Sequence, residues 1–154
     1  MQRIHFLQTL AILVGSALLP MVVVAAPPKV SIAVNHTGDD SVGQTLAFAI
    51  REAIRGSHGY ELVAGAKAAF RISIVTLDPD KSGQVPGSRT IAAMTFTARN
   101  TNLFNDRWPQ TWYPIYLTTE ISMTGAGRVD DQAKSILASL EAEIENYRKD
   151  QSGR

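Results

Sequence analysis

The chain has 154 residues, 45% of them hydrophobic and 19% charged, the balance of a globular domain rather than a disordered chain. Its formal charge is +1 and no block of basic residues occurs, so the electrostatic footprint of a nucleic-acid binder is missing. It contains no cysteine, which excludes disulfides, thiolate metal sites, a thiol nucleophile and a lipid-modified N-terminal cysteine.

The first 25 residues read as a signal peptide. Arg3 supplies the positive n-region, and an apolar run from Leu7 to Val24 follows, interrupted by Gln8, Thr9, Gly15, Ser16 and Pro20. The small residues Ala25 and Ala26 then offer a cleavage site. Cutting after Ala25 places Ala25 at −1 and Val23 at −3; cutting one residue later puts the obstructing ring of Pro27 at +1. The rival reading is an uncleaved anchor, because the run is nearly long enough to span a bilayer. Gly15, Pro20 and the alanine pair favour cleavage. The expected product is one domain over residues 26–154, periplasmic or secreted, which meets a membrane only if the signal segment is retained. With Arg3 gone, its basic and acidic residues balance at 14 each.

Within the domain, Lys29 to Asn35 alternates Val30, Ile32 and Val34 with smaller residues and predicts a first strand. His36 to Asp40 reads as a turn. Ser41, with Gln44 three residues on, has the form of a capping box, and Val42, Leu46, Ile50 and Ile54 recur at helical spacing over about 42–56. The run Gly56 to Gly59 ends that helix and offers a glycine for a left-handed cap. Tyr60 to Val63 is a short strand, and 64–69 fits either one helical turn or an irregular link. Phe70 to Leu77 is the clearest strand, with Phe70, Ile72 and Ile74 opposite Arg71 and Ser73. Asp78 to Gly87 is a loop by its prolines, glycines and aspartates.

Arg89 to Ala98 favours a strand through its Thr and Phe content. Asn100 to Gln110 is a second polar loop. A last strand places Ile115, Leu117, Thr119, Ile121 and Met123 on one face and Thr118, Glu120 and Ser122 on the other, and Gly125-Ala126-Gly127 breaks it. From Val129 to about Arg148, Ala133, Ile136, Leu137, Leu140, Ile144 and Tyr147 form an apolar helical stripe. Asp130 and Asp131 open that helix, and Arg148 and Lys149 close it, with signs that suit its dipole. The order β-α-β-β-β-β-α predicts an α+β fold: a two-layer sandwich with a mostly antiparallel sheet of four to five strands and two amphipathic helices on one face. The first two strands, joined through a helix, can pair in parallel.

This element order, with the run from Ala68 to Asp78, resembles a group of small uncharacterised exported bacterial proteins. The order is also similar to the domain shared by the TolB N-terminal region and accessory proteins of the curli-secretion type. What these resemblances imply is a partner-binding module of the envelope.

Catalytic and metal-binding patterns are scarce. His36 and His58 flank the first helix at opposite ends, about 22 Å apart for 15 residues at 1.5 Å each, too far for joint ligation. Nucleophile elbows and phosphate loops are absent. Asp78 to Gly83 opens like a calcium loop, but position 12 is Arg89 where a bidentate glutamate belongs, and a strand precedes it where the motif has a helix. Asn35-His36-Thr37 fits a glycosylation acceptor. The acidic pairs Asp39/Asp40 and Asp130/Asp131 are explained by helix capping and dipole complementation. No metal and no cofactor are expected.

The expected function is a non-enzymatic module that binds an envelope protein or a glycan. The alternatives are a small hydrolase using acidic residues and a small-molecule carrier. The expected binding residues lie in the aromatic stretch 104–116: Trp108 as the exposed anchor, Arg107 beside it, and Trp112 and Tyr113, which can equally plug one end of the core.

Overall fold

A computed structural model describes residues 28–81, 86–100 and 114–153. The leader, with the cleavage site expected after Ala25, lies outside these residues. So do Arg107, Trp108, Trp112 and Tyr113. The described elements are β1 (Val30–Thr37), α1 (Ser41–Gly56), β2 (Tyr60–Leu62), a 3-10 turn (Gly65–Lys67), β3 (Phe70–Leu77), β4 (Arg89–Arg99), β5 (Pro114–Gly125), a second 3-10 turn (Ala126–Arg128) and α2 (Val129–Ser152). They form the expected α+β sandwich, one open five-stranded sheet in the order β2-β1-β3-β4-β5 with both helices against one face.

The sheet is parallel where β1 meets β2 and β3, and antiparallel from β3 through β4 to β5, where most of the ladder lies. The parallel β1–β2 pair follows from the helical connection. The successive strands β2 and β3 do not form the antiparallel pair that succession favours; both lie parallel to β1, one on each side, and the register explains it. Ile32 pairs with Leu62 on one side and with Phe70 on the other. Thus β2 serves the first half of β1 and β3 the second, so the chain between them need only cross β1. It does so through the Gly65–Lys67 turn, held by Val63 N–H on Ile32 O and by Ala69 N–H on Ser31 O, both at 2.9 Å. This settles the 64–69 ambiguity in favour of a single turn. The second half of β1 has no described strand on its β2 side; there Arg51 of α1 donates to Val34 O at 3.2 Å.

Between the layers, Ile32, Phe70, Ile72, Ile74, Met94 and Phe96 of the sheet meet Leu46, Ile50 and Ile54 of α1 and Ile136, Leu140 and Ile144 of α2, all buried. The ring of Tyr147 packs edge-on against Phe70, with centroids 5.8 Å apart. At about 25 cal/mol per Å² of apolar surface, such burial is the main force holding helices to sheet.

Three local expectations are corrected. His36 and Thr37 extend β1 rather than form a turn, because they pair with Ile74 and Val75. Asp40, not Ser41, caps α1: its carboxylate accepts Gly43 N–H at 2.5 Å, and Ser41 is the first helical residue. The far end of α1 uses no left-handed glycine. Ser57 leaves the helix extended with its N–H on Ile54 O, and the positive-φ glycines among the described residues are Gly38 and Gly87.

Candidate functional site

Strand parity decides which side chains face the helices. In β3 these are Phe70, Ile72, Ile74 and Thr76, and in β4 Thr90, Ala92, Met94, Phe96 and Ala98. In β5 a bulge intervenes: Phe96 pairs with Thr118 but Thr97 with Tyr116, so Leu117 is an extra residue. The single apolar face expected for β5 is therefore corrected. Ile115 and Leu117 pack against the core, whereas beyond the bulge Thr118, Glu120, Ser122 and Thr124 turn towards the helices and Thr119, Ile121 and Met123 turn away.

The result is an apolar grid on the uncovered face. Val75, Ala93 and Ile121 form one cross-strand row, and Leu77, Ile91 and Met123 the next. Val75, Leu77, Ile121 and Met123 are 56%, 58%, 76% and 57% exposed, and Ile91 and Ala93 lie half-buried between them. With strands about 4.8 Å apart and same-face residues about 6.7 Å apart, the backbone positions span about 10 by 7 Å before side chains are counted. Single exposed aliphatics are ordinary on a protein surface; six contiguous ones are not. The neighbouring row is polar, with the hydroxyls of Thr95 and Thr119 3.2 Å apart. Beyond it the face is closed by the crossing chain, where Arg71 and Arg99 donate to Gly65 O and Ala66 O, each at 3.3 Å.

Beneath the grid the usual order is inverted, and polar groups are buried. Thr76, Thr90, Thr124 and Asp40 are all almost fully covered. His36 Nε2 lies 2.8 Å from Thr76 Oγ1. Burial, aided by the Arg51 charge and opposed by Asp40, lowers the His36 pKa. For Asp40, burial alone favours protonation. The Thr76 hydroxyl, Gly43 N–H, the Thr90 hydroxyl and His36 outweigh it, and the carboxyl stays below its ordinary range. Its Oδ2 faces the two threonines outside good hydrogen-bond geometry. Gly38 and Gly43 close over Thr76: a Cβ on either collides with its hydroxyl, and Gly38 holds φ of +151°. This knot pins the start of α1 to the ends of β1 and β3. It is packed shut, which suits anchoring rather than chemistry on a substrate.

No family model matches the chain, and no curated protein matches it. Among solved structures it is similar to a hypothetical protein of Chlamydia trachomatis, at 11% identity over 78% of this chain and 98% of that one, with a TM-score of 0.43. It is also similar to a PelC variant of Paraburkholderia phytofirmans solved as a dodecamer, at 15% identity over 75% and 85% of the two chains, with a TM-score of 0.41. A minor lipoprotein of Acinetobacter baumannii shares 13% identity over 76% and 96%, with a TM-score of 0.35. All three are bacterial proteins. Identities this low carry no residue's role across.

The other sequence candidates are engaged in local structure. Asp78 accepts Asp80 N–H and Gly87 N–H, both at 2.8 Å, so both its oxygens serve the turn. Asp80 binds Arg89 through both oxygens, and that hydrogen bond is the main cause of its lowered pKa. The arginine that spoils the calcium motif thus occupies one of its would-be ligands. Asp39 pairs with Lys81 at 3.0 Å, and Asp131 with Arg128 at 3.6 Å. Among the described residues no group of three or more His, Cys, Asp or Glu is placed to hold a metal ion. No described helix is long and apolar enough to cross a membrane. On the helix side, an open groove of about 500 Å³ between α1 and α2 is lined by Phe48, Ala49, Ala53 and Ala133, with Glu52 and Lys134 at its rim.

Sequence reasoning missed the grid, although its signal was present. In β3 the alternation reverses after Ile74, where Thr76 takes the inward parity and Val75 and Leu77 the outward one. In β5 the apolar alternation continues unbroken through the bulge, and the sequence does not mark the extra residue.

Proposed function

We propose that the protein is an exported, non-enzymatic module that docks an envelope partner protein on the open face of its sheet. The grid of Val75, Leu77, Ile91, Ala93, Ile121 and Met123 carries this reading, and the order of charge, apolar run and small residues in the leader supports export. Chemistry favours protein over the other occupants. The grid is aliphatic and lacks the hydrogen-bonding groups a glycan needs. Its polar border at Ser73, Thr95 and Thr119 is neutral, Arg89 at its end is paired with Asp80, and Arg71 and Arg99 beyond the border are engaged by carbonyls of the crossing chain, so the rim of the grid offers anionic lipid no cluster of basic groups. An apolar centre inside a hydroxyl border is the usual anatomy of a protein interface.

A photo-crosslinking residue at Leu77 in the exporting cell tests this. One adduct with a second envelope protein is expected, absent when the probe sits at Glu52 on the helix side and lost on adding Ile91→Asp. An adduct only with its own chain, or the same adducts from both positions, overturns the reading.

A further inference from the structure

We infer that the bare half of β1, residues 34–37, receives the C-terminal end of a partner polypeptide as an added antiparallel strand, with its terminal carboxylate on Arg51. The site lies on the β2 side of β1, whereas the grid lies on the face of β3, β4 and β5, so it stands apart from the docking proposed above. Val30 N–H bonds to Gly59 O at 2.8 Å and Val63 N–H to Ile32 O at 2.9 Å, so the even residues of β1 bond towards β2. The next even residues are Val34 and His36. After Val63 the chain of β2 leaves this edge for the crossing turn. The N–H of Val34 and both the N–H and C=O of His36 therefore point outward, where no described strand receives them.

A chain can reach these groups. Asn35, Thr37 and Gly38 are exposed, and Val34 and His36 are half-buried. The segment that follows β1 leans the other way, since a Cβ on Gly38 would meet Thr76 of β3, so it leaves the approach past Thr37 clear. The far end of the slot is closed by Val63, bonded to Ile32 O. A strand that enters past Thr37 must end beside Val34, where Arg51 stands.

The charge of Arg51 selects the occupant. A guanidinium carries five N–H donors, and this one, half-buried, donates to Val34 O. Capping a carbonyl needs no charge, yet Arg51 forms no ion pair among the described residues. After burial, its charge is the next cause of the lowered His36 pKa, so the cation stands unneutralised beside the edge. An antiparallel strand brings its terminal carboxylate to this point. One oxygen accepts Val34 N–H where the next carbonyl of a longer strand would, and the other accepts from the guanidinium. The residue two places earlier lies opposite His36 and exchanges both backbone hydrogen bonds with it. A parallel strand would set its terminal ammonium against the same cation.

The test is NMR titration of the chain expressed with its leader and purified as exported. The probe is an N-acetylated pentapeptide of alternating threonine and valine, as the free acid and as the C-terminal amide. The acid should perturb the Val34 and His36 amides and bind at least about tenfold more tightly than the amide. By neutralising Arg51 it should also raise the His36 pKa, while the His58 ring signals stay in place. Arg51→Met should erase the preference for the acid, Arg51→Lys should keep part of it, and Leu77→Ser should change nothing. Equal binding of acid and amide, no binding up to about 1 mM, an equal effect of acetate alone, perturbation centred on β5, or a preference that survives Arg51→Met overturns the inference.

Discussion

Gly43 has no side chain because Thr76 Oγ1 and Asp40 Oδ2 already fill the place. Thr76 is surrounded by backbone on two sides and cannot retreat. Gly43→Ala should therefore cost about 1–3 kcal/mol as overpacking, visible in urea unfolding, while Gly59→Ala, where a Cβ meets nothing, should be close to neutral. The same knot predicts a pH dependence. His36 and Asp40 both have folded pKa values below their ordinary ones, so the unfolded chain binds more protons. Stability is then fully present above the ordinary histidine range and falls as pH drops through 6.5 towards the lowered His36 pKa, then falls again below 3.8 as Asp40 is protonated. The melting temperature should decline as pH drops through 6.5, and His36→Gln, whose amide can still hydrogen-bond the Thr76 hydroxyl, should flatten that first decline.

The elements themselves were largely legible. Alternation marks β1 and β3 because one face of each is buried, and the 3.6-residue stripe marks α2 because it lies along the sheet. Along that stripe Leu140 is fully buried and Leu137 only partly, so Leu140→Ala should cost about 2–5 kcal/mol and Leu137→Ala clearly less, measured by the same denaturation. What sequence periodicity could not carry is anything set by pairing between distant segments. The residues His36 and Thr37 look like turn formers and become strand because β3 lies beside them. The bulge at Leu117 is a property of the β4–β5 register, and one inserted residue exchanges the two faces of everything after it. The outward turn of Ile121 and Met123 was hidden for that reason. The outward parity of Val75 and Leu77 could be read from β3 alone.

At the scale of the molecule, one face of the sheet is covered by helices and the other divides into a closed end and a bare apolar end. Leu77→Ser combined with Met123→Ser should leave the melting temperature within about 2 °C, since both side chains are exposed, and should sharply reduce binding of a hydrophobic dye. Unchanged dye binding would place the apolar surface elsewhere. The β2-β1-β3 arrangement has a further bearing on how the chain acquires its shape. Both neighbours of β1 arrive within the following forty or so residues, so the N-terminal half can begin to zip together early. The inner face of β4 is met by α1, which precedes it in the chain, whereas β5 packs against α2, which follows it. Until α2 is made, the inner face of β5 waits without its helix while the grid lies exposed on the other side, and a chaperone that shields the nascent sheet for those moments would have a natural place in its biogenesis.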